Sequence, residues 1–258
     1  MPSDSERSSS RPPLIRVRGL SIGFGGPPIL AGLDFEVARG DVFVILGGSG
    51  CGKSTLLRHL IGLQEPMAGD IAMDLPPSDD DAPPPYGVMF QSGALFSSLT
   101  LVENVALPLQ RWTRLSQETI EDIAYARLRL VGLGGFENHV PADISGGMKK
   151  RAGIARALAL DPPLLFLDEP SAGLDPISAV ELDDLIQSMQ RDLDVTTVMV
   201  THELESIFRV GTACIMLDRE ARGIIARGDP RVLRDQSEDP RVQSFFHRQP
   251  TRALSGTE

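Results

Sequence analysis

The stretch ILGGSGCGKST at residues 45–55 decides which fold this chain adopts. The residues that lead into it, DVFVILG at 41–47, form a continuous apolar run, which predicts a strand buried on both faces. The residues that follow, KSTLLRHLIGL at 53–63, carry leucine and isoleucine at helical spacing. The sequence therefore predicts a strand, a glycine-rich loop and a helix in immediate succession.

This context fits the phosphate-binding pattern G-x-x-x-x-G-K-[ST], known as Walker A. Glycines let backbone N–H groups converge on phosphate oxygens, and the N-terminus of the next helix adds partial positive charge. Lys53 would reach the β- and γ-phosphates, and Ser54 would give an oxygen to Mg²⁺. We predict that the loop binds the phosphates of a nucleotide with Mg²⁺, which leaves kinases, GTPases and many ATPases open; the alternative is a tight glycine turn without chemistry. The predicted nucleotide contacts of the loop are Gly47, Gly48, Ser49, Gly50, Cys51, Gly52, Lys53, Ser54 and Thr55.

Length and charge limit the function classes. A chain of 258 residues can bury the core of one large domain, with room for a subdomain. Its net charge of −10, from 25 basic and 35 acidic residues, opposes the phosphates of nucleic acids, so we expect no nucleic-acid partner. No apolar run approaches the roughly 18 residues of a spanning helix, so a membrane role would need a partner.

The two ends and the two cysteines suggest a cytosolic protein. Residues 1–13 lack the apolar core of a signal peptide and are predicted to be a disordered lead, and residues 249–258 a polar tail. Cys51 and Cys214 are expected to be free thiols. Cys51, at a helix N-terminus beside a lysine, could be reactive. We favour the other interpretation, in which its side chain points away from the phosphate.

Alternating strand and helix patterns predict an α/β fold. Residues 14–24 and 28–40 alternate apolar and polar positions, as half-exposed antiparallel strands do. Residues 101–133 have helical periodicity, with Ser116 as a cap and Gly132 as a stop. Together these patterns predict a mostly parallel core sheet, an N-terminal antiparallel β-subdomain and a helical subdomain at about 92–160, all within one domain at 14–248. Later elements are expected to be a helix at 148–160 and buried strands at 164–168, 196–202 and 214–218.

One segment cannot belong to the core. Residues 76–85, PPSDDDAPPP, hold five prolines, which exclude a helix or a sheet interior and predict an exposed loop. The aspartates at 79, 80 and 81 are expected to serve solvation rather than cation binding.

A second acidic motif narrows the chemistry. The buried strand LLFLD ends at Asp168, which would lie beside Mg²⁺. Glu169 follows it and could polarise an attacking water. The alternative is an acidic surface turn before Pro170.

A third motif predicts another anion site. In ISGGMKKRAGIARALA, at residues 144–159, the Ser-Gly-Gly turn opens a cationic helix. Its glycines expose N-terminal amides, and Ser145 could cap the helix or donate to phosphate. These residues alone fit an ordinary capped helix equally well.

The ordered set of Walker A, Gln91, SGG, LDEP, SAGLDP and a histidine after the next strand resembles the nucleotide-binding subunit of an ABC transporter, over about residues 14–228. The resemblance implies the P-loop NTPase fold of an ABC cassette. It also implies a head-to-tail dimer of two copies, with ATP held between Walker A of one copy and the Ser-Gly-Gly turn of the other. The second half-site would consist of Ser145, Gly146 and Gly147.

The same resemblance implies roles for further residues. Phe24 would stack on adenine, at a position where the family more often has tyrosine. The alternative is that its side chain packs in a strand. Glu169 would be the general base, and His202 would contact the γ-phosphate. Asp175 would cross the dimer interface. Gln91 would sense Mg²⁺ and water, so the implied metal-binding residues are Ser54, Gln91 and Asp168.

Three stretches are similar to the ATPases of the maintenance-of-lipid-asymmetry and toluene-tolerance group: residues 89–109, the signature ISGGMKKR with Met148, and EDPRVQSFF at 238–246. This similarity implies phospholipid transport with an integral membrane permease and an MCE-domain lipid-binding protein. It implies a peripheral location on the cytoplasmic face of the inner membrane. The permease's coupling helix would meet Leu95, Phe96 and Leu99, for which core packing is the alternative. The loop at 76–85 replaces a longer stretch of the family, which leaves the β-subdomain uncertain.

Other functions compete with this one. An importer or exporter of an amino acid, a metal or an antibiotic would use the same cassette, because the cassette does not touch the cargo. A non-transport cassette acting in DNA repair or translation fits less well, since the acidic charge opposes nucleic acid and fewer than a hundred residues separate Lys53 from Ser145. A P-loop kinase would leave the Ser-Gly-Gly turn and His202 without a purpose.

Overall fold

A computed structural model describes residues 13–76, 82–91 and 93–248. In chain order the strands are β1 (Pro13–Ile22), β2 (Leu30–Ala38), β3 (Val42–Gly47), β4 (Ala68–Met73), β5 (Gly87–Met89), β6 (Leu164–Asp168), β7 (Thr196–Val200), β8 (Ala213–Asp218) and β9 (Gly223–Gly228). The α-helices are α1 (Lys53–Leu60), α2 (Leu101–Trp112), α3 (Gln117–Leu130), α4 (Gly146–Ala157), α5 (Pro176–Leu193), α6 (Leu204–Val210), α7 (Pro230–Gln236) and α8 (Pro240–Phe246). A 3-10 turn covers Pro141–Asp143.

The central sheet carries the candidate site. Its strand order is β5-β6-β7-β3-β8-β9, and every neighbouring pair is parallel except β8 with β9. All residues of β3 are buried, as the continuous apolar run at 41–47 predicts. One face of the sheet packs against helices, and the other packs against α1 and the smaller N-terminal sheet, so β3 and β7 are fully buried. The predicted α/β fold with a mostly parallel core sheet is confirmed.

The N-terminal part forms a smaller sheet. It has the order β2-β1-β4, with both pairs antiparallel, so an antiparallel β-part exists although the loop at 76–85 is short. Along β2 buried and exposed residues alternate, as predicted for residues 28–40. The buried side chains of β1, such as Leu14 and Leu20, pack with those of α1, including Leu56 and Leu57. This packing holds the helix that follows the glycine-rich loop.

The helical part lies between β5 and β6 in the chain. Helix α2 begins with a capping box, in which Thr100 accepts from the Glu103 backbone and Glu103 accepts from the Thr100 backbone. Helix α3 begins at the predicted cap, Ser116, whose hydroxyl accepts from the Thr119 N–H. Helices α2, α3 and α4 share one apolar core with the central sheet.

Some predicted boundaries are wrong by a few residues. Helix α4 begins at Gly146 rather than 148, because Ser145 caps it and its two glycines join the first turn, and it ends at Ala157 rather than 160. Strand β7 ends at Val200 rather than 202. Pro13, the last residue of the predicted disordered segment, is instead the first residue of β1.

Other predictions stay open. The aspartates at 79, 80 and 81, residues 1–12 and the tail at 249–258 lie outside the described residues. The domain limits at 14–248 and the subdomain at about 92–160 stay predictions. No helix in the described ranges has both the length and the apolar character needed to cross a membrane.

One carboxyl group is buried away from the sheet edge. Asp183 on α5 is only 2% exposed, and its Oδ1 has no hydrogen-bond partner in the described part of the chain. Burial raises the pKa of Asp183 to about 6, although the Ser206 hydroxyl and the charge of Arg209 lower it. The folded protein therefore carries a buried negative charge at neutral pH, which lowers its stability.

We predict that Asp183→Asn stabilises the protein in a pH-dependent way. The pKa is 3.8 before folding and about 6 after it, so wild-type stability falls relative to the variant as pH rises from about 4 to about 6. At about 1.4 kcal/mol per pKa unit, we expect the variant to gain about 1–3 kcal/mol at pH 7.5 and much less at pH 4.5. Urea unfolding at both pH values measures this gain.

The matched control is Asp184→Asn. Asp184 is exposed and accepts from Arg209 at 2.6 Å, so its replacement is expected to stabilise the protein at neither pH. A gain for Asp183→Asn that is equal at pH 4.5 and 7.5 would contradict the role given to its charge.

Candidate active site

The site lies where parallel strands end together. Strands β5, β6, β7 and β3 lie side by side in this order and run parallel. Met89 pairs with Leu167, and Asp168 pairs with Val200. Residues that follow these strands therefore come out at one edge of the sheet, which is where open α/β sheets bind ligands. Residues after β5, β6 and β7 share this edge with the loop after β3; they are Gln91, Glu169 and His202.

The loop after β3 has a backbone that requires glycine. Gly47 has φ of 143°, and a Cβ there would clash with the Leu217 carbonyl oxygen and lie 2.6 Å from Cys51 Sγ. Gly52, with φ of 105°, occupies the cap position of α1. Gly48, Ser49 and Gly50 are exposed, so this part of the loop is open to a ligand.

The lysine of the loop stays close to its backbone. Lys53 Nζ donates to the Gly47 carbonyl at 2.8 Å and to the Gly48 carbonyl at 3.0 Å. These bonds keep the ammonium over the loop. An anion there would meet one full positive charge and the N-terminus of α1 together.

A hydroxyl and a carboxylate meet beside the loop. Ser54 Oγ donates to Asp168 Oδ1 at 3.3 Å. Burial raises the pKa of Asp168, and the Ser54 hydroxyl lowers it. Mg²⁺ typically takes one or two protein oxygens and completes its shell with phosphates and water, so this donor pair suits it. The described residues hold no cluster of three or more His, Cys, Asp or Glu that could bind a metal by itself.

Hydrogen bonds fix both the backbone and the side chain of Glu169. Its φ is 50°, a left-handed conformation that is unusual for a residue other than glycine. Its N–H donates to the Val200 carbonyl at 2.9 Å, and its carboxylate lies 2.9 Å from His202 Nδ1. The Glu169 side chain is 13% exposed and the His202 side chain 57% exposed. Oε2 of Glu169 is buried and also lies 2.9 Å from His202 Nδ1, so the imidazole covers both carboxylate oxygens.

The Ser-Gly-Gly turn forms a separate helix N-terminus. Ser145 Oγ accepts from the Met148 N–H at 3.2 Å, so the serine caps α4. The first turn contains no acidic residue, and Ser145 and Gly146 are exposed. The side chain thus satisfies one of the free amides of the turn, and the others face solvent. This arrangement suits an anion that comes from outside the chain.

Three other predicted residues have simpler surroundings. Phe24 is 65% exposed, so its side chain is not packed in a strand. Gln91 is also exposed. Asp175 caps α5, accepting from the N–H groups of Ile177 and Ser178, and these bonds together with the Ser178 hydroxyl lower its pKa. Their predicted roles toward nucleotide or dimer stay predictions.

Sequence analysis missed one residue of the site. Lys150 on α4 is buried, and its Nζ donates to the Glu169 carbonyl at 2.7 Å. A signal for its burial was present, because Lys150 lies four residues before Ile154 and three after Gly147, on the inward face of the helix. A charged residue on such a face is unusual unless it has a partner.

Comparison with known proteins agrees with this geometry. The family model described as ABC transporter matches residues 30–172, which is more than half of the chain. The chain belongs to the ABC transporter ATP-binding family. It is therefore an ATP-binding subunit with the ATPase chemistry of an ABC cassette.

Several curated relatives are similar to this cassette. The probable ribonucleotide transport ATP-binding protein mkl of Mycobacterium leprae is 40% identical over 240 residues, or 90% of this chain and 68% of that protein. The intermembrane phospholipid transport system ATP-binding protein MlaF of Haemophilus influenzae is 36% identical and covers 90% of each chain. The methionine import ATP-binding protein MetN of Brucella abortus is 37% identical over 84% of this chain. The cassette spans about two thirds of the length of its mycobacterial relatives.

Solved structures share the fold. CbiO1 from Clostridium perfringens, part of the ABC transporter complex cbiONQ, matches with a TM-score of 0.77 and 28% identity over 88% of this chain and 92% of that one. The ATP-binding cassette MJ0796, described as a dimer in a post-hydrolysis state with ADP and Pi, matches with a TM-score of 0.72 and 28% identity over 83% of this chain and 98% of that one.

The thiol of the loop is inert in this geometry. Cys51 is 2% exposed and points into the core beneath the loop, where it packs with the smaller sheet and α1. Burial raises its pKa, and this effect exceeds the lowering by the Lys53 charge. Burial also raises the pKa of Cys214 to about 12. The interpretation in which Cys51 is a reactive thiol therefore has no support.

We predict that neither cysteine of the folded cassette reacts with iodoacetamide at pH 7.5, because both thiols are buried and protonated. Mass spectrometry should find both alkylated only after unfolding in urea. Alkylation of native Cys51 at the rate of a free cysteine would contradict this account.

Proposed function

We propose that two copies of this chain pair head to tail, close two ATP molecules between them and drive a membrane permease that moves phospholipid. The observation that carries the dimer is that one chain has two separate helix N-termini whose surroundings suit an anion. The loop after β3 holds Lys53, whereas the N-terminus of α4 offers Ser145 and free amides. Each would be one half of a composite pocket.

The nucleotide would be bound by groups of both halves. Backbone amides of residues 47–55 and the Lys53 ammonium would stabilise the charge that develops on the transferring phosphoryl group. The Ser145 turn of the other copy would close over the same phosphates. Phe24 would stack on the adenine, and Asp175 would lie at the dimer interface.

The hydrolytic water would be oriented by the acidic residue after β6. Glu169 would act as general base, its carboxylate accepting from the water once His202 turns to the nucleotide. His202, now on the Glu169 carboxylate, would contact the γ-phosphate. Ser54 and Asp168, assisted by Gln91, would hold Mg²⁺, which neutralises charge on the phosphates when bound.

The permease would dock on an apolar cavity. A cavity of about 580 Å³ lies between the helical part and the central sheet, and its lining is mostly apolar. Phe96 and Leu63 line it and are 57% and 61% exposed, although large apolar side chains are normally covered. Of the predicted contact residues, Leu95 instead packs on the core and Leu99 is half-buried. We assign the contact with the permease to Phe96 and its neighbours in the cavity.

We choose phospholipid as the cargo from the likeness to MlaF over nearly its whole length, since the more identical mkl protein is matched over only 68% of its length. MlaF matches over 90% of both chains, whereas the match to MetN covers 60% of that protein. We therefore place the cassette on the cytoplasmic face of an inner membrane, with a permease and an MCE-domain lipid-binding protein.

Reconstitution tests the cargo. The complex that copurifies with the tagged cassette from detergent-solubilised membranes is placed in liposomes that contain fluorescent phospholipid. ATP should drive movement of the lipid, and the complex should contain an MCE-domain protein. ATP-driven uptake of methionine or of a ribonucleotide, with no lipid movement, would overturn the proposed cargo while leaving the ATPase assignment intact.

We predict that Glu169→Gln lets ATP-bound dimers accumulate and lowers turnover by about 10²–10⁴-fold, since the amide cannot accept the proton from water. Size-exclusion chromatography with ATP and a phosphate-release assay measure the two effects. Glu203→Gln is the matched control, because Glu203 lies 3.6 Å from the other nitrogen of His202 yet is not proposed to touch water. Wild-type turnover in Glu169→Gln would remove Glu169 from the role of base.

A further inference from the structure

Lys150 has an unusual environment for a lysine. It is 7% exposed, and its ammonium donates to a backbone carbonyl, that of Glu169, at 2.7 Å. The described residues place no carboxylate oxygen within 4 Å of this ammonium, although Asp168 and Glu169 are close enough to attract it. Burial lowers the pKa of Lys150, so keeping a charged amine here costs free energy.

The carbonyl that Lys150 holds belongs to the strained residue of the site. Glu169 has φ of 50°, and its carbonyl accepts from the Ala172 N–H at 3.3 Å as well as from Lys150. Its N–H is bonded to β7. A residue other than glycine keeps a left-handed backbone only where the surrounding contacts hold it in that conformation. The peptide before and the peptide after Glu169 are thus both fixed, and the carboxylate direction follows from them.

The position of Lys150 on α4 connects Glu169 to the Ser145 half-site. It lies on α4, whose first turn is the Ser145 half-site, and it follows Ser145 by five positions, or about 7.5 Å along the axis. The same short helix therefore carries one half of a nucleotide pocket at its start and the anchor of Glu169 in its second turn.

We propose that Lys150 is a positioning residue, which aims the Glu169 carboxylate at the water and ties it to the helix that closes over the other copy's nucleotide. This inference rests on the proposed role of Glu169 and on the proposed dimer. Lys150 does not touch substrate. It acts through the Glu169 backbone, so its removal should impair the hydrolytic step and leave ATP binding intact.

The test compares three variants of the full chain in a phosphate-release assay at varied ATP. Lys150→Met keeps the length and loses the donor, and we expect kcat to fall about 10–100-fold with KM for ATP unchanged, as a misplaced catalytic group does. Lys150→Arg keeps a cationic donor and should restore most of kcat. Lys149→Met removes the adjacent lysine of the same helix and should behave like wild type.

A double-variant cycle separates positioning from general damage. If Lys150 acts through Glu169, then Lys150→Met together with Glu169→Gln should turn over no more slowly than Glu169→Gln alone. Additive losses, a raised KM with unchanged kcat, or equal losses in Lys149→Met would each overturn the proposal. Should Lys150→Met fail to fold, Lys150→Leu, which also removes the donor, gives the same comparison and the same criteria.

The cycle also distinguishes this inference from the proposed function. Wild-type turnover in Glu169→Gln alone means that Glu169 is not the base, and that result removes the premise. Strong loss in Glu169→Gln with wild-type kcat in Lys150→Met leaves the base in place and overturns only the role given to Lys150.

Discussion

The parallel pairing of β3 with β7 and β8 fixes where every candidate catalytic group of this cassette lies. Ile45 pairs with Val200 on one side and with Ile215 on the other, deep in the core. Because the neighbouring strands run the same way, the loop after β3 opens at the edge where β6 and β7 also end. A change of register by one residue would shift the ends of these strands relative to one another and separate Ser54 from Asp168.

Charge is concentrated at this edge at a cost to stability. Asp168, Glu169 and Lys150 are all largely removed from water, and burial shifts the pKa of Asp168 and of Lys150 toward their neutral forms. Such groups recur at functional sites because a dry, preorganised environment strengthens their action on a ligand. The apolar cores on both faces of the central sheet supply the stability that offsets them.

The sequence predicted this edge well because its motifs are local. The glycine loop, LLFLD and the Ser-Gly-Gly turn each combine a strand or helix end with its chemistry in fewer than a dozen residues. Boundaries were less accurate: α4 starts two residues early because the Ser145 cap outweighs the poor helix propensity of two glycines. Lys150 was missed because its burial depends on Glu169, which is nineteen residues away along the chain. Helical spacing places Lys150 on the inward face of α4, but the partner that its ammonium finds there is set by tertiary packing.

If each chain carries two half-sites that only a second copy completes, two differently defective copies should complement each other. Lys53→Met removes the charge from one half, and Ser145→Arg blocks the other. In a symmetric pair, one copy of each variant combines the intact halves into one working pocket, so random pairing predicts about a quarter of wild-type ATPase activity. Each variant alone should be close to inactive. If a mixture of the two stays as inactive as each variant alone, the nucleotide is bound and hydrolysed within a single chain and the account is contradicted.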